Sequence, residues 1–402
     1  MNILDKSAKS ECTSCQLCAS MCAHDAIKIE LNEDGFYRPV VDADKCTDCG
    51  LCTKVCYKFD ENVKITTPEQ LAKMHLYSAW SYDDELVRNT TSGGIGDLLA
   101  HELLKQGYKV VGCVYNDERV RAEHRIATTE EELIPFRGSK YIQSYNFDSL
   151  KEVVNNCRQN KFAVFGTPCQ IYALSRIADI KKVRDQFFFV DLYCHGCPSI
   201  FAWMKYQQKV KEANRVVSFD KVEFRSKIDG WGVYCSTFFK DGKLLYKNTR
   251  NLKGFFELFF SDQILNDGCN DCKLRHSLDY TDIRLGDFWG KKYAGNTRGV
   301  SAVTLCTDNA DTLFGRIKSF IHSDVEDMVA FAPKQGWGSE HHPRLEARKI
   351  ILSCLSDPNR TIDDACTALH KHQTTKERLV RYAVNVLALL PRSLTIVIKK
   401  IR

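Results

Sequence analysis

The chain has 402 residues, 44% apolar and 27% charged, the balance of a folded globular protein, which excludes collagen-like, low-complexity and wholly disordered chains. Nineteen cysteines are about 5% of the chain, below the roughly 8–10% of a disulfide scaffold. The net charge of +6 sits at one end: residues 371–402 hold eight Lys or Arg against Glu377 alone, so the rest is near neutral and carries no basic stripe for nucleic acid.

The opening MNILDKSAKSEC lacks the apolar stretch of a signal peptide, and no apolar run reaches the ~20 residues of a bilayer span. A reducing, cytoplasmic setting is therefore expected, with cysteines acting as metal ligands or redox groups. Cys12, Cys15, Cys18 and Cys22 follow a C-x2-C-x2-C-x3-C spacing, and Cys46, Cys49, Cys52 and Cys56 repeat it 34 positions later. Identical offsets mean an internal duplication. Three cysteines two residues apart reach three corners of a 4Fe-4S cube, and in two-cluster ferredoxins the fourth cysteine of each run serves the other cluster. That pairs Cys12, Cys15 and Cys18 with Cys56, and Cys46, Cys49 and Cys52 with Cys22. Zinc prefers paired C-x2-C units, which fits the duplicated triple spacing less well. Between the runs, AIKIEL, NEDG and FYRPVV read as a hairpin that brings the halves together. Ala23 and Tyr57 stand where such runs carry proline.

Residues 61–76 read as a linker, and thereafter strands and helices alternate. YKVVGCVYN, FAVFG and FFFVDLYC are β-rich runs, and DLLAHELLKQG is helical. The alternation predicts an α/β domain with a mostly parallel sheet. Residues 221–247 predict antiparallel strands around an Asp241-Gly242 turn, and VSAVTLCT predicts a further strand. The expected fold is thus α+β multidomain: an N-terminal bacterial-type ferredoxin domain with two 4Fe-4S clusters over 1–62, a linker over 63–76, an α/β domain with an antiparallel β insertion over 77–350, and a basic, partly apolar helical tail over 351–402.

Three loops carry the chemistry. In TTSGGIGDLLAHELL, small residues precede a helix, as at phosphate-binding turns, although a helix-capping turn is the commoner explanation. GTPCQ and DLYCHGCPS end two strands with Cys169 and Cys194, and ligands of open α/β sheets bind beyond such strand ends. Cys269 and Cys272 add a C-x2-C. Cys169, Cys194, Cys269 and Cys272 would complete a four-thiolate set for a third 4Fe-4S cluster or a zinc ion. Cys197 is left as a spare or alternative ligand. Cys113, Cys157, Cys235, Cys306, Cys354 and Cys366 read as ordinary buried residues.

The order of a two-cluster ferredoxin segment, TSGGIGDLLAHELL, RGSKYIQS, GTPCQ, DLYCHGCPS, CNDCKLRHSLDYTDIRLGDFWG and TRGVSAV resembles the coenzyme F420 hydrogenase/dehydrogenase β-subunit family over roughly residues 10–350. The resemblance implies a flavin, usually FAD, beside an iron–sulfur cluster. It implies Ser92, Gly93 and Gly94 at the flavin phosphates or ribityl chain, and Ser139, Lys140 and Tyr141 along the flavin, with Lys140 as a cation. It further implies Thr167 and Gln170 flanking Cys169, and Arg298, Gly299 and Ser301 closing the pocket. Family members have one cysteine in the DLxCHG segment, so Cys197 is extra.

The expected function is an iron–sulfur flavoprotein oxidoreductase that exchanges electrons with an external carrier or redox partner protein and acts on a bound substrate. The alternative is an electron-transfer subunit of a larger complex with no substrate of its own, and a zinc scaffold is the non-redox rival. His195 could protonate a substrate or hydrogen-bond a cluster sulfur. Arg225, Lys227 and Trp231 could line an anionic or ring-bearing pocket or belong to a plain edge strand. The tail LVRYAVNVLALLPRSLTIVIKKIR, broken by Pro391, reads either as a terminal helix packed on the body or as a peripheral contact with the inner face of an anionic membrane.

Overall fold

The structure, a computed structural model, describes residues 2–4, 11–248 and 253–390. Pro391 and the end of the tail lie outside the described residues. Fourteen strands are described: β1 (Ile27–Leu31), β2 (Tyr37–Val41), β3 (His75–Ser81), β4 (Tyr108–Asn116), β5 (Arg121–Ala127), β6 (Ser144–Tyr145), β7 (Lys161–Phe165), β8 (Phe187–Leu192), β9 (Lys221–Ser226), β10 (Cys235–Lys240), β11 (Lys243–Lys247), β12 (Ile283–Asp287), β13 (Ser301–Leu305) and β14 (Ile321–Glu326).

In the cysteine-rich region, β1 and β2 form the expected hairpin, its turn held by Asn32 Oδ1 accepting from the Phe36 N–H at 2.8 Å. The duplication is visible in the backbone as well as in the sequence. Ser14 and Asp48 both adopt left-handed φ (64° and 50°), and so do Gln16 and Gly50 (67° and 73°), each pair 34 positions apart. These left-handed residues turn the chain tightly enough for three cysteines to face one point, and a short helix follows each turn, Leu17–Met21 and Leu51–Lys54.

Nine strands form the main sheet in the order β14-β3-β13-β12-β8-β7-β4-β5-β6. The expectation of a mostly parallel sheet needs correction. β4, β7, β8 and β12 run parallel, as do β5 and β6, but β4–β5, β12–β13, β13–β3 and β3–β14 are antiparallel. The cause is connection length. Helices Phe147–Asn156 and Pro168–Lys181 supply crossovers that return the chain parallel, whereas the four-residue turn after Asn116 can only reverse it. The central β8 (FFFVDL) is buried over its first five residues, as a strand covered on both faces must be. β9, β10 and β11 form the antiparallel insertion, with Asp241 and Gly242 both at positive φ (51° and 70°) in its hairpin turn.

The cysteine-rich region shares a core with the body. Leu17, Met21, Val55 and Tyr57 pack in one cluster with Ile171, Tyr172 and Leu174 of helix Pro168–Lys181 and with Phe189. At the other end of the chain, Ile351, Leu352 and Leu355 of helix Leu345–Ser356 and Ile362, Ala365 and Leu369 of helix Ile362–Lys371 are buried against Trp203, Phe238 and Phe255. Helix Thr375–Leu389 instead exposes Leu379, Val380, Tyr382 and Leu389. No helix among the described residues is long and apolar enough to cross a membrane.

Candidate functional site

Parallel β7, β8 and β12 end on the same side of the sheet, so their following loops converge. β7 leads into Thr167–Cys169 and β8 into Cys194–Cys197. β12 leads into Asp287–Trp289. Ser301, which opens β13, lies opposite both Asp287 and Ala79 of β3, extending the same edge to the glycine turn Ser92–Gly94 that follows β3.

The first four predicted ligands lie near one another. Cys12, Cys15, Cys18 and Cys56 line one cavity together with Tyr37, Val55 and Ala173 of the body helix. Cys12 also accepts a hydrogen bond from the Ser14 N–H at 3.4 Å. Burial pushes the thiols of Cys15 and Cys18 well up and that of Cys56 to about 11. None of these sulfurs ionises at neutral pH without a positive charge beside it, and a bound iron or zinc supplies that charge. The second set, Cys22, Cys46, Cys49 and Cys52, lies further out: Cys52 is buried, Cys22 and Cys46 are half-buried, and Cys49 is exposed.

Five cysteines, not four, converge at the strand ends. Cys169 lies near enough to Cys194, Cys269 and Cys272 for their charges to couple, and burial raises Cys194 to about 12. Cys197 joins them by a side-chain hydrogen bond to Cys269, which lowers the Cys269 thiol while raising its own. The extra cysteine therefore stands beside Cys269. Thr167 Oγ1 lies 3.3 Å from Cys169 Sγ.

The two sulfur sites adjoin. Cys12 couples electrostatically to Cys269 and Cys15 to Cys169. Gly268 packs so closely on the Glu11–Cys12 backbone that a Cβ there would lie 2.1 Å from the Glu11 carbonyl oxygen. Tyr57, in the position of the missing proline, donates from its hydroxyl to the Gly268 carbonyl at 3.3 Å and hydrogen-bonds Cys272. Buried Arg38 donates to Asn266 Oδ1 at 2.8 Å and to Ser14 Oγ at 2.9 Å, and the Asn266 N–H donates to the Cys197 carbonyl at 2.7 Å. Below these loops Arg284, fully buried with Asp191, donates to the Asp191 carboxylate through Nε at 2.8 Å, and to the carbonyls of Leu274, Arg275 and Ser277. This ion pair fixes the chain after Cys272 to β8.

The residues implied for the flavin fall into two groups. The Gly93 N–H donates to Ser301 Oγ at 2.9 Å, and a Cβ on Gly299 (φ 120°) would sit 2.7 Å from the Ser92 carbonyl. The Lys227 ammonium donates to that carbonyl and to Val87, and burial lowers its pKa to about 7. Ser92 Oγ is buried with no hydrogen-bond partner among the described residues, beside the first turn of helix Ile95–Lys105. Ser139 is tied in by its N–H donating to Thr91 Oγ1 at 2.7 Å, and Arg298 pairs with Asp84. An unpaired hydroxyl, small residues and a helix N-terminus suit a phosphate or polyol.

The second group is otherwise employed. The Lys140 ammonium, expected as a cation for the flavin, donates to the carbonyls of Pro135, Phe136 and Arg137 at 2.9–3.1 Å and so stoppers a helical turn. Gln170 Oε1 accepts from the Thr167 N–H at 2.9 Å, so this pair caps the helix behind Cys169. Tyr141 packs edge-on to Tyr234, Phe256 and Phe259.

Sequence reading named Arg225 and Trp231 but missed their partners Asp287 and Trp289. Arg225 forms an ion pair with Asp287 and lies over Tyr234 at 4.6 Å and Trp289 at 5.0 Å, and Trp231 Nε1 donates to Asp287 Oδ1 at 2.8 Å. Arg225 thus stands on the edge strand β9 with its side chain buried among rings and paired with Asp287. The GDFWG run after β12 was the available signal. His195 Nε2 contacts Asp262 Oδ1 at 2.9 Å.

Comparison with known proteins identifies the family. Residues 76–151 match the model of the N-terminal part, and residues 159–329 that of the C-terminal part, of the coenzyme F420 hydrogenase/dehydrogenase beta subunit; residues 11–58 match a 4Fe-4S dicluster domain. Coenzyme F420 hydrogenase subunit beta of Methanococcus voltae is 30% identical over 105 residues, 25% of this chain and 36% of that protein. Its namesake from Methanosarcina barkeri (strain Fusaro / DSM 804) is 29% identical over 102 residues, 25% of this chain and 35% of that protein. The alignments therefore span about a third of these relatives. A chain in a xenon-derivatized structure of the F420-reducing [NiFe] hydrogenase complex from Methanosarcina barkeri is 20% identical, covering 77% of this chain and 95% of that one with a TM-score of 0.46. The two halves of one family, found in order over well over half of the chain behind a dicluster domain, identify this protein as a member of the coenzyme F420 hydrogenase/dehydrogenase beta-subunit family.

Proposed function

We propose that the chain is an iron–sulfur electron-transfer subunit of a larger redox complex, linking an outer electron donor or acceptor to a flavin held in its body. Cys46, Cys49, Cys52 and Cys22 would hold the outer 4Fe-4S cluster, and Cys12, Cys15, Cys18 and Cys56 the inner one. Cys169, Cys194, Cys269 and Cys272 would hold a third, with Cys197 as hydrogen-bond donor to Cys269. Ser92, Gly93, Gly94, Gly299 and Ser301 would hold the phosphate or ribityl part of FAD. When bound, clusters pass electrons singly and a flavin exchanges them in pairs as hydride.

The chain's own groups fit these duties. Exposed Cys49 leaves the outer site open to a partner, while Tyr57, Arg38 and Asn266 lock the inner site against the third. Lys227 and Arg225 bring hydrogen-bond donors to the proposed flavin wall, and Asp287 balances the charge of Arg225 and holds it in place. The observation that carries the reading is the backbone contact of Gly268 with Glu11 and Cys12, which brings the two sulfur sites side by side. The exposed apolar face of helix Thr375–Leu389, followed by the basic tail sequence, also supports peripheral membrane contact, which deletion of residues 376–402 would abolish in a membrane-fraction assay.

The test is anaerobic purification with quantitation of iron, sulfide and flavin. About twelve irons, as expected for three cubes of four, and one flavin per chain are expected. Reduced protein should then turn over coenzyme F420, the compound named in its relatives, or other hydride acceptors only when a partner subunit is added. Zinc without iron overturns the redox reading, and turnover by the chain alone overturns the subunit reading.

A further inference from the structure

Beside the sulfur pocket lies a second donor set that neither spacing nor motif announced. His195 follows Cys194 after β8. Asp262 sits in the turn after helix Phe255–Phe259, and His341 precedes helix Leu345–Ser356. Their ligand atoms all lie within 4.8 Å of one another. His195 Nε2 is 2.9 Å from Asp262 Oδ1, and His341 Nδ1 is 3.0 Å from Asp262 Oδ2.

The hydrogen positions decide what this set can do. His341 Nε2 lies 2.6 Å from the His195 carbonyl oxygen, which can only accept, so Nε2 carries the proton. Nδ1 is left facing the Asp262 carboxylate at 3.0 Å, a contact that either a second ring proton or a shared cation satisfies. A backbone carbonyl on the far nitrogen is also the usual way a metal-binding histidine is oriented. Donors about 2.0–2.2 Å from a tetrahedral ion stand roughly 3.3–3.6 Å apart, so an ion would enter with the two His–Asp contacts opening by about 0.5 Å. Phe259 and Phe260 flank the His195 ring at 5.0 and 5.8 Å, limiting the water that would compete for the ligands.

We infer that His195, Asp262 and His341 form a mononuclear site for a divalent transition-metal cation of the Zn2+ class. Two imidazoles and a carboxylate are the donors that borderline metals choose, and three protein ligands leave a coordination position for an exogenous molecule. The site adjoins the sulfur pocket: it shares the loop that carries Cys194, and the His341 backbone N–H donates to the carbonyl of Asn270, between Cys269 and Cys272, at 3.0 Å.

The experiment uses the full iron-loaded chain, so that cysteines are occupied. After anaerobic dialysis against micromolar Zn2+, metal analysis should find about one zinc per chain in addition to the iron. Asp262→Asn and His341→Gln should each weaken zinc retention by at least ~10–100-fold at unchanged iron content. Zinc-edge X-ray absorption on the wild-type protein should show nitrogen and oxygen neighbours without sulfur, which decides the question even where a variant loses iron. Absence of stoichiometric zinc, equal retention in both variants, or a sulfur shell would each overturn the assignment.

Discussion

The two cysteine runs are the same device in different settings. Both turn through left-handed residues at equivalent positions and both precede a short helix. In the inner run the left-handed residue is Gln16, whose side chain donates to the Ser144 carbonyl at 2.8 Å and accepts from the Asn146 N–H at 3.0 Å. In the outer run the equivalent residue is Gly50, which adopts the conformation without strain. The inner run thus accepts a backbone cost of about 1–2 kcal/mol in exchange for attachment to the body. Equal spacing specifies equal ligation, whereas the intervening residues decide which site faces inward.

The contrast can be broken where the inner site is anchored. Arg284→Met strands the buried Asp191 carboxylate and frees the chain after Cys272, so an anaerobic urea melt should lose about 3–5 kcal/mol. A loss under about 1 kcal/mol would mean that the ion pair does not frame the pocket. Gly268→Ala forces a methyl into the Glu11 carbonyl, and a destabilisation of about 1–3 kcal/mol is expected. It should also slow electron passage from the inner site, read by stopped-flow, at unchanged iron content. Gln16→Gly removes two hydrogen bonds of about 1 kcal/mol each but relieves the left-handed strain, so the same melt should move by only about 1 kcal/mol. Cys49→Ser sharpens the comparison from the other side: iron should fall by about four per chain while the main unfolding transition moves by less than about 0.5 kcal/mol. A large shift there would show that the outer site also supports the body.

Legibility in the sequence followed the range of each interaction. The cysteine runs, the Asp241-Gly242 turn and the strands β4, β7 and β8 depend on neighbours a few residues away, and all were readable. The mixed sheet was not, because β3 enters between β13 and β14 from more than 200 residues upstream. Lys140 was placed toward the flavin by resemblance, yet the unsatisfied carbonyls of the turn just before it offered a nearer partner. Asp191 with Arg284, and Asp262 with His341, are partners 93 and 79 positions apart with no spacing rule between them. Cys197 was noticed because it was extra, but only folding brings it to Cys269.

The continuity of packing from Leu17, Val55 and Tyr57 into helix Pro168–Lys181 bears on how such a protein can be built or cut. A two-cluster segment is usually pictured as a cartridge that can be plugged into any host. Here its removal would strip one wall from the host's interior, baring Ile171, Tyr172 and Leu174 to water and inviting aggregation. Wiring and scaffold are one object in this chain, so grafting or trimming at residue 60 should yield an insoluble remnant rather than a quieter enzyme.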